Sequence, residues 1–94
     1  MKEDDVGEVF LFACPWDWTF VGRLEGFVGG RLIITEAGYF TRTGATFDVL
    51  CKEGFNENTR FHPARTSDGR LRIPNVGPVF PWGAKWPQSP TQTA

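Results

Sequence analysis

The sequence has few residues that bind metals or form crosslinks. It holds two cysteines, Cys14 and Cys51, and one histidine, His62. The cysteines form no Cys-x-x-Cys pair, and so small a set supports neither a disulfide framework nor a zinc site. Both lie on the apolar side of predicted elements, where a free thiol behaves as a small hydrophobic residue. We therefore expect two reduced thiols, no metal and no cofactor.

Catalytic motifs and membrane segments are also missing. No serine-centred nucleophile elbow and no catalytic pair of carboxylates occurs, so no nucleophile with its base can be named. Gly29 and Gly30 are expected to form a turn instead of a phosphate cradle, since no helix with a lysine and a hydroxyl follows. No positively charged leader opens the chain, and no apolar run approaches the roughly 20 residues of a membrane span. We expect a cytoplasmic protein that is not an enzyme and does not enter a membrane.

Charge is low overall but unevenly distributed. The formal net charge is −1, which does not favour non-specific binding to polyanions. Acidic residues dominate the first eight positions, whereas the segment from Arg60 to Arg72 holds four arginines and a single acidic residue. Such a basic cluster either neutralises phosphates or forms a solvated surface, and the sequence leaves both alternatives open.

Alternating apolar residues predict a mainly β protein. Residues 8–14 form an almost continuous apolar strand, and Thr19–Phe27 and Arg31–Ala37 alternate with the period of two that is typical of half-buried strands. Gly22 and Gly26 suit a sharp bend, because glycine lacks the Cβ that opposes one. A short glycine-rich turn joins Thr19–Phe27 to Arg31–Ala37, which predicts a strongly bent hairpin.

The second half of the chain predicts one helix and two more strands. Thr43–Gly54 has helical apolar spacing, with Thr43 or Thr46 to cap its start and Gly54 at its end. Residues 56–69 are expected to form a loop or an irregular strand that ends in the hairpin signal Asp68-Gly69. Strands follow at 70–73 and 76–80.

The predicted elements add up to one small domain. Five short strands and one short helix predict a small antiparallel barrel. We assign residues 1–94 to a single domain, with flexible or extended tails at 1–7 and 83–94.

The first hairpin resembles the opening motif of the Sm-like family. In that family a strand of the form Gly-x-Leu-x-Gly-Phe leads through a turn into a strand that ends in an acidic and a small residue. The matching residues here are Gly22, Leu24, Gly26, Phe27, Leu32, Ile34, Glu36 and Ala37. Together with Ala37–Gly44 and Ile73–Gly77, they make residues 18–82 similar to small phage-type or metagenomic Sm-like proteins.

The resemblance implies a fold, an assembly and a ligand. The fold is a strongly bent, five-stranded antiparallel Sm-like barrel with one short helix, and the assembly is a homo-oligomeric ring that pairs exposed strand edges. The ligand is single-stranded RNA, held by the loop after the second strand and by the turn between the last two strands. The RNA-binding candidates carried over are Phe27, Gly29, Gly30, Arg31, Arg72 and Asn75. Val28 replaces the family's usual Asp and the Arg-Gly pair is absent, so no uridine-specific pocket is expected.

A second hypothesis is a self-associating structural or adaptor module that binds protein through an aromatic surface. Nine Phe and four Trp exceed what a small barrel encloses, and the surplus fits an interface or a stacking surface. Trp82 and Trp86 are the candidates for this role, and they otherwise cover one mouth of the barrel. An adaptor requires these tryptophans for partner binding, whereas RNA binding requires Arg31, Arg72 and Asn75 to converge.

Overall fold

The protein is built mainly from β-strands over the residues that the computed structural model describes, which are 3–14, 18–75 and 77–86. This part of the chain contains a 3-10 turn at Glu3–Asp5, six strands and one helix. Their order is β1 (Val9–Cys14), β2 (Trp18–Val28), β3 (Arg31–Arg42), α1 (Phe47–Glu53), β4 (Arg60–Pro63), β5 (Arg70–Pro74) and β6 (Val79–Pro81). The mainly β prediction is confirmed. The additional strand, β4, lies in the segment predicted as a loop or an irregular strand.

All strand pairs are antiparallel and belong to one sheet. The strand order is β4-β3-β2-β1-β6, and β5 also pairs with β3. Both β4 and β5 lie on the same edge of β3, β5 along Arg31–Thr35 and β4 along Gly38–Arg42. Within the described residues β5 and β6 do not pair with each other. The sheet therefore does not close, and the closed five-stranded barrel expected from the sequence is not confirmed.

A β-bulge interrupts the long β2–β3 hairpin. Near the middle of the hairpin, β3 contains one more residue than β2 between two paired positions. Glu36 lies in this bulge and has a φ of 50°, in the left-handed region that few non-glycine residues adopt. Gly22 lies opposite, where an added Cβ would come within 2.8 Å of the Ala37 Cβ. Glycine at position 22 therefore permits close packing of the two strands at the bulge.

The bulge also reverses which residues of β3 face each side of the sheet. Before it, Leu32 and Ile34 belong to one apolar cluster; after it, Ala37 belongs to that cluster and Phe40 to another. One inserted residue shifts the period of two by one position. Odd-numbered residues after the bulge, including Tyr39, therefore take the face that even-numbered residues hold before it.

Apolar side chains pack on both faces of the sheet. One cluster, here called the strand core, consists of Phe10, Phe12, Leu24, Leu32, Ile34 and Ile73. The other, the helix-side core, consists of Leu11, Val21, Phe40, Leu50, Cys51, Phe61 and Trp82. Strand β1 contributes to both, because its successive side chains alternate between the two faces. This explains why β1 is apolar at every position.

Helix α1 starts later than the predicted segment. Thr46 occupies the N-cap position, but its hydroxyl donates to Asp48 Oδ1 at 2.6 Å and makes no capping bond to the backbone. At the other end Gly54 has a φ of 86°, and its N–H donates to the carbonyl of Leu50 at 2.8 Å. The helix therefore ends at the glycine that the sequence indicated.

Parts of both predicted tails are bound to the domain. The N–H of Gly7 donates to the carbonyl of Leu24 at 2.8 Å. After β6, the N–H groups of Gly83 and Ala84 both donate to the Cys51 carbonyl, at 2.8 and 2.9 Å. Hydrogen bonds and aromatic packing therefore hold Gly7 and residues 83–86, which belong to the tails expected at 1–7 and 83–94, against the domain. Residues 1–2 and 87–94 lie outside the described part.

Candidate binding site

Four aromatic rings form a contiguous row on one face of the sheet. The strand register places Phe20 opposite Tyr39 and Tyr39 opposite His62, so all three side chains point to the same side. Trp18 stacks on Phe20 with ring centres 5.7 Å apart and contacts the edge of Tyr39 at 5.4 Å. Tyr39 stacks on His62 at 5.1 Å. We call Trp18, Phe20, Tyr39 and His62 the aromatic row.

A pocket of about 440 Å³ adjoins the aromatic row. It lies near the point where β3 exchanges β5 for β4 as its neighbour, and the segment after β4 borders it. We call it the aromatic pocket, and its lining consists of Cys14, Trp18, Phe20, Tyr39, Ala64, Arg65, Thr66, Leu71 and Pro74. Most of these side chains are apolar, and Arg65 is the one charged residue in the described lining. A volume of this size falls within the roughly 300–1,000 Å³ of small-molecule sites.

The arginines of the sheet divide into two groups. Three form ion pairs, which are Arg23–Glu36 at 3.3 Å, Arg70–Glu25 at 2.6 Å and Arg72–Asp68 at 3.1 Å. Arg31, Arg42, Arg60 and Arg65 form no ion pair with any described residue. Arg60 lies two residues before His62 on β4 and so shares its face, and Arg65 lines the aromatic pocket. Arg42 lies on the other face, where it borders a different pocket with Phe40 and Phe47. Of these arginines, Arg60 and Arg65, here called the unpaired arginines, supply positive charge next to the rings.

The four-arginine cluster predicted from the sequence is therefore dispersed. Arg70 and Arg72, both on β5, are held by a carboxylate of β2 and one of the preceding turn, respectively. Arg60 lies on β4, where its guanidinium donates to the carbonyls of Glu57 and Thr59 at 2.9 and 3.0 Å. Arg65 alone borders the pocket.

The turn that the Sm-like resemblance assigns to RNA is formed by two neighbouring segments. Gly29 and Gly30 have φ values of 53° and 78°, as a tight turn requires. The N–H of Asn75 donates to the carbonyl of Gly30 at 3.1 Å, and Arg31 is paired with Pro74. The backbone thus brings Gly30, Arg31 and Asn75 together.

The remaining two turn candidates are placed differently. Phe27 is 36% exposed beside this turn and is paired with Leu32. Arg72 lies further along β5, opposite Ile33, where it is bound to Asp68. The turn therefore presents one arginine that forms no ion pair in the described chain, Arg31, instead of two.

Trp82 and Trp86 lie in and against the helix-side core. Trp82 is only 8% exposed, and its ring contacts that of Trp86 with the centres 5.4 Å apart. Trp86 also packs on Phe61 and donates from Nε1 to the carbonyl of Glu36 at 3.0 Å. Trp82 is therefore not available as an exposed interface or stacking ring, because burial in the core takes up its surface.

The thiols and His62 do not combine into a reactive site. Burial raises the pKa of Cys14 at the pocket, and burial together with the charge of Asp48 raises the pKa of Cys51 to about 11. Both thiols hence stay protonated near neutral pH, whereas the thiolate is the nucleophile and metal ligand. His62 is held by a hydrogen bond of 3.1 Å between its Nε2 and the Thr41 hydroxyl. The described residues contain no group of three or more His, Cys, Asp or Glu that could hold a metal.

Sequence reasoning did not identify Trp18 and Tyr39 as site residues. The predicted strand began at Thr19, whereas β2 begins one residue earlier, at Trp18. The face of Tyr39 depends on the bulge at Glu36, which has no clear sequence signature. The usable signal was the pair Trp18 and Phe20, since aromatic residues two positions apart share one face of a strand.

None of the helices in the described residues is long and apolar enough to cross a membrane.

Comparisons with known proteins do not assign this site. No protein-family model, curated protein or solved structure matches the chain.

Proposed function

We propose that this protein is a binding module for single-stranded RNA, in which the aromatic row stacks on bases and the unpaired arginines contact phosphates. The observation that carries the proposal is the row itself, four touching rings with Trp18 49% exposed. Every base has a flat face, so a row of rings accepts RNA with little regard to its sequence. The resemblance to Sm-like proteins favours the same class of ligand.

The charge distribution supports local contact with phosphates. The net charge of −1 provides little long-range attraction, and the ion-paired arginines are already neutralised. The unpaired arginines can bind a phosphate without first breaking an ion pair with a described carboxylate. Binding that depends on a few arginines beside a stacking surface is expected to be modest in affinity and sensitive to salt.

The turn formed by Gly30, Arg31 and Asn75 is an alternative RNA contact, taken from the resemblance. It offers a glycine backbone, one arginine and one amide, but its aromatic neighbour Phe27 stands apart from the row. RNA bound there would depend on Arg31 and Asn75, whereas RNA on the aromatic row would depend on Trp18 and the unpaired arginines.

Fluorescence anisotropy with labelled oligouridine and oligoadenosine tests the proposal at low salt. Trp18→Ala is expected to weaken binding about 5- to 150-fold, because stacking on one base contributes about 1–3 kcal/mol. Arg60→Gln should reduce the slope of log affinity against log salt by about 0.7, the value for one lost phosphate contact. Circular dichroism verifies that each variant is folded.

The matched control is Arg70→Gln, which removes the same charge from an ion-paired position. We expect it to leave affinity nearly unchanged. A loss with Arg31→Gln, but not with Trp18→Ala, would move the RNA to the turn. Absence of RNA binding by the native protein at low salt would refute the proposal.

The apolar lining of the aromatic pocket favours a second candidate function, an adaptor that binds a protein partner. In that case the pocket takes an apolar side chain of the partner, and exposed Trp18 forms the rim. Loss of binding to a purified partner protein with Trp18→Ala, together with no effect of Arg60→Gln, would identify the adaptor role.

A further inference from the structure

We propose that the aromatic pocket binds a free small molecule that combines a flat apolar ring with one anionic group, of the aryl carboxylate class. This inference rests on the lining of the pocket and does not require that the protein bind RNA.

The shape and lining of the pocket select the ring. Trp18, Phe20 and Tyr39 supply aromatic surface, and Leu71 and Pro74 supply aliphatic surface around a space of about 440 Å³. A bicyclic ring system fits a space of this size, since pockets for small ligands begin at about 300 Å³. Ring stacking adds to the transfer of apolar area from water.

Arg65 selects the anionic group. It is the one charged residue in the described lining, it is exposed, and it forms no ion pair with a described residue. The neighbouring Thr66 hydroxyl is already engaged with Asp68 Oδ1 at 3.4 Å. No described carboxylate lines the pocket to repel an anion. A guanidinium at the rim of an apolar pocket binds a carboxylate through charge-assisted hydrogen bonds while the ring is buried.

The same lining disfavours a nucleobase inside the pocket. The polar edge of a base would lose its hydrogen bonds with water and find few partners among apolar side chains. A base stacked on the exposed ring of Trp18 keeps that edge in water. The pocket and the aromatic row therefore suit different ligands, even though they share Trp18, Phe20 and Tyr39.

Isothermal titration calorimetry with 2-naphthoate tests the inference. The matched ligands are 2-naphthamide, which has the same ring without the charge, and octanoate, which has the charge without the ring. We expect 2-naphthoate to bind the native protein about tenfold more tightly than either. Arg65→Gln should weaken 2-naphthoate about tenfold, the scale of one charge-assisted contact, and leave 2-naphthamide unchanged.

A pocket-filling variant provides the second test. Ala64 lines the pocket, and its N–H is bound to the Ala37 carbonyl, a bond that a larger side chain retains. Ala64→Leu should abolish binding of both naphthyl ligands while circular dichroism stays native. If Ala64→Leu does not fold, the comparison of 2-naphthoate with 2-naphthamide on Arg65→Gln still tests the inference. Arg65 is exposed, so its substitution is not expected to unfold the protein.

Two results would overturn the inference. One is failure of 2-naphthoate to bind at millimolar concentration, and the other is equal binding to the native protein, Arg65→Gln and Ala64→Leu. RNA titrations of the same samples separate the two proposals, since Arg60→Gln is expected to affect RNA and not 2-naphthoate. If the native protein binds RNA but not 2-naphthoate, the result contradicts the proposal for the pocket and leaves the RNA proposal intact.

Discussion

At the scale of single residues, Gly38 marks the closest approach of β3 to β4. A Cβ at this position would overlap the Phe61 ring and the His62 carbonyl. Because strand pairing fixes both neighbours, Gly38→Ala is expected to lower the free energy of unfolding by about 1–3 kcal/mol. Urea denaturation monitored by circular dichroism measures this change.

The same hairpin offers a matched control for Gly38. Gly26 also lies in a strand, but an added Cβ there meets no atom within 4 Å. Gly26→Ala should therefore change stability little or raise it slightly. Equal losses of stability in Gly38→Ala and Gly26→Ala would show that replacement of a strand glycine, and not the close approach of β3 to β4, lowers the stability.

At the scale of elements, the segment after β6 stabilises the helix-side core. Trp86 is partly buried against Phe55, Phe61 and Trp82, and its Nε1–H donates to the Glu36 carbonyl. Trp86→Ala is expected to lower the free energy of unfolding by about 2–3 kcal/mol, somewhat less than for a fully buried tryptophan. Trp86→Phe keeps much of the packing and should cost about 1 kcal/mol for the lost hydrogen bond.

Urea denaturation of both Trp86 variants tests this role, with Trp18→Ala as the control. Trp18 is 49% exposed, so its removal should reduce stability less than the removal of Trp86. A larger loss of stability in Trp86→Ala than in Trp18→Ala affects the adaptor hypothesis, because loss of partner binding in Trp86→Ala would then reflect unfolding. An unchanged stability of Trp86→Ala would restore Trp86 as an interface candidate.

Strands with strict alternation could be predicted from the sequence, whereas features that depend on long-range pairing could not. The alternation in β2 and in the first half of β3, and the glycine turn between them, identified that hairpin. The bulge at Glu36 was missed, because its position follows from the pairing of two strands and not from local residues. It determines the face of Tyr39, so the aromatic row was missed with it.

The helix and β4 show the same limit. Gly54 marked the end of α1, since a glycine at a positive φ is a local requirement. The sequence left the start open between two positions, because Thr43 and Thr46 are equally good caps by sequence alone, and the structure selects Thr46. Strand β4 has only four residues with a proline at its end, and it forms because β3 provides a free edge beyond the bulge.

At the scale of the whole molecule, the open edges of the sheet bear on the ring that the Sm-like resemblance implies. In the described chain β4, β5 and β6 each pair on one side only, and they end at Pro63, Pro74 and Pro81. Proline has no N–H to donate to a new strand, and short edge strands with proline discourage strand addition. These edges are therefore poor partners for the edge-to-edge pairing that a ring requires.

We accordingly expect a single copy in solution. Light scattering of the purified protein should give a mass near 10.6 kDa at low salt, and addition of a short single-stranded RNA should add the mass of the RNA to one chain. The ring stays a prediction of the resemblance, and a discrete multiple of 10.6 kDa would support it against the edges described above. In that outcome repeated copies would bring the turns formed by Gly30, Arg31 and Asn75 around a common axis, and Arg31→Gln would become the decisive variant for RNA. A single copy that binds RNA would instead place recognition on one aromatic row, where Trp18→Ala should abolish most of the affinity.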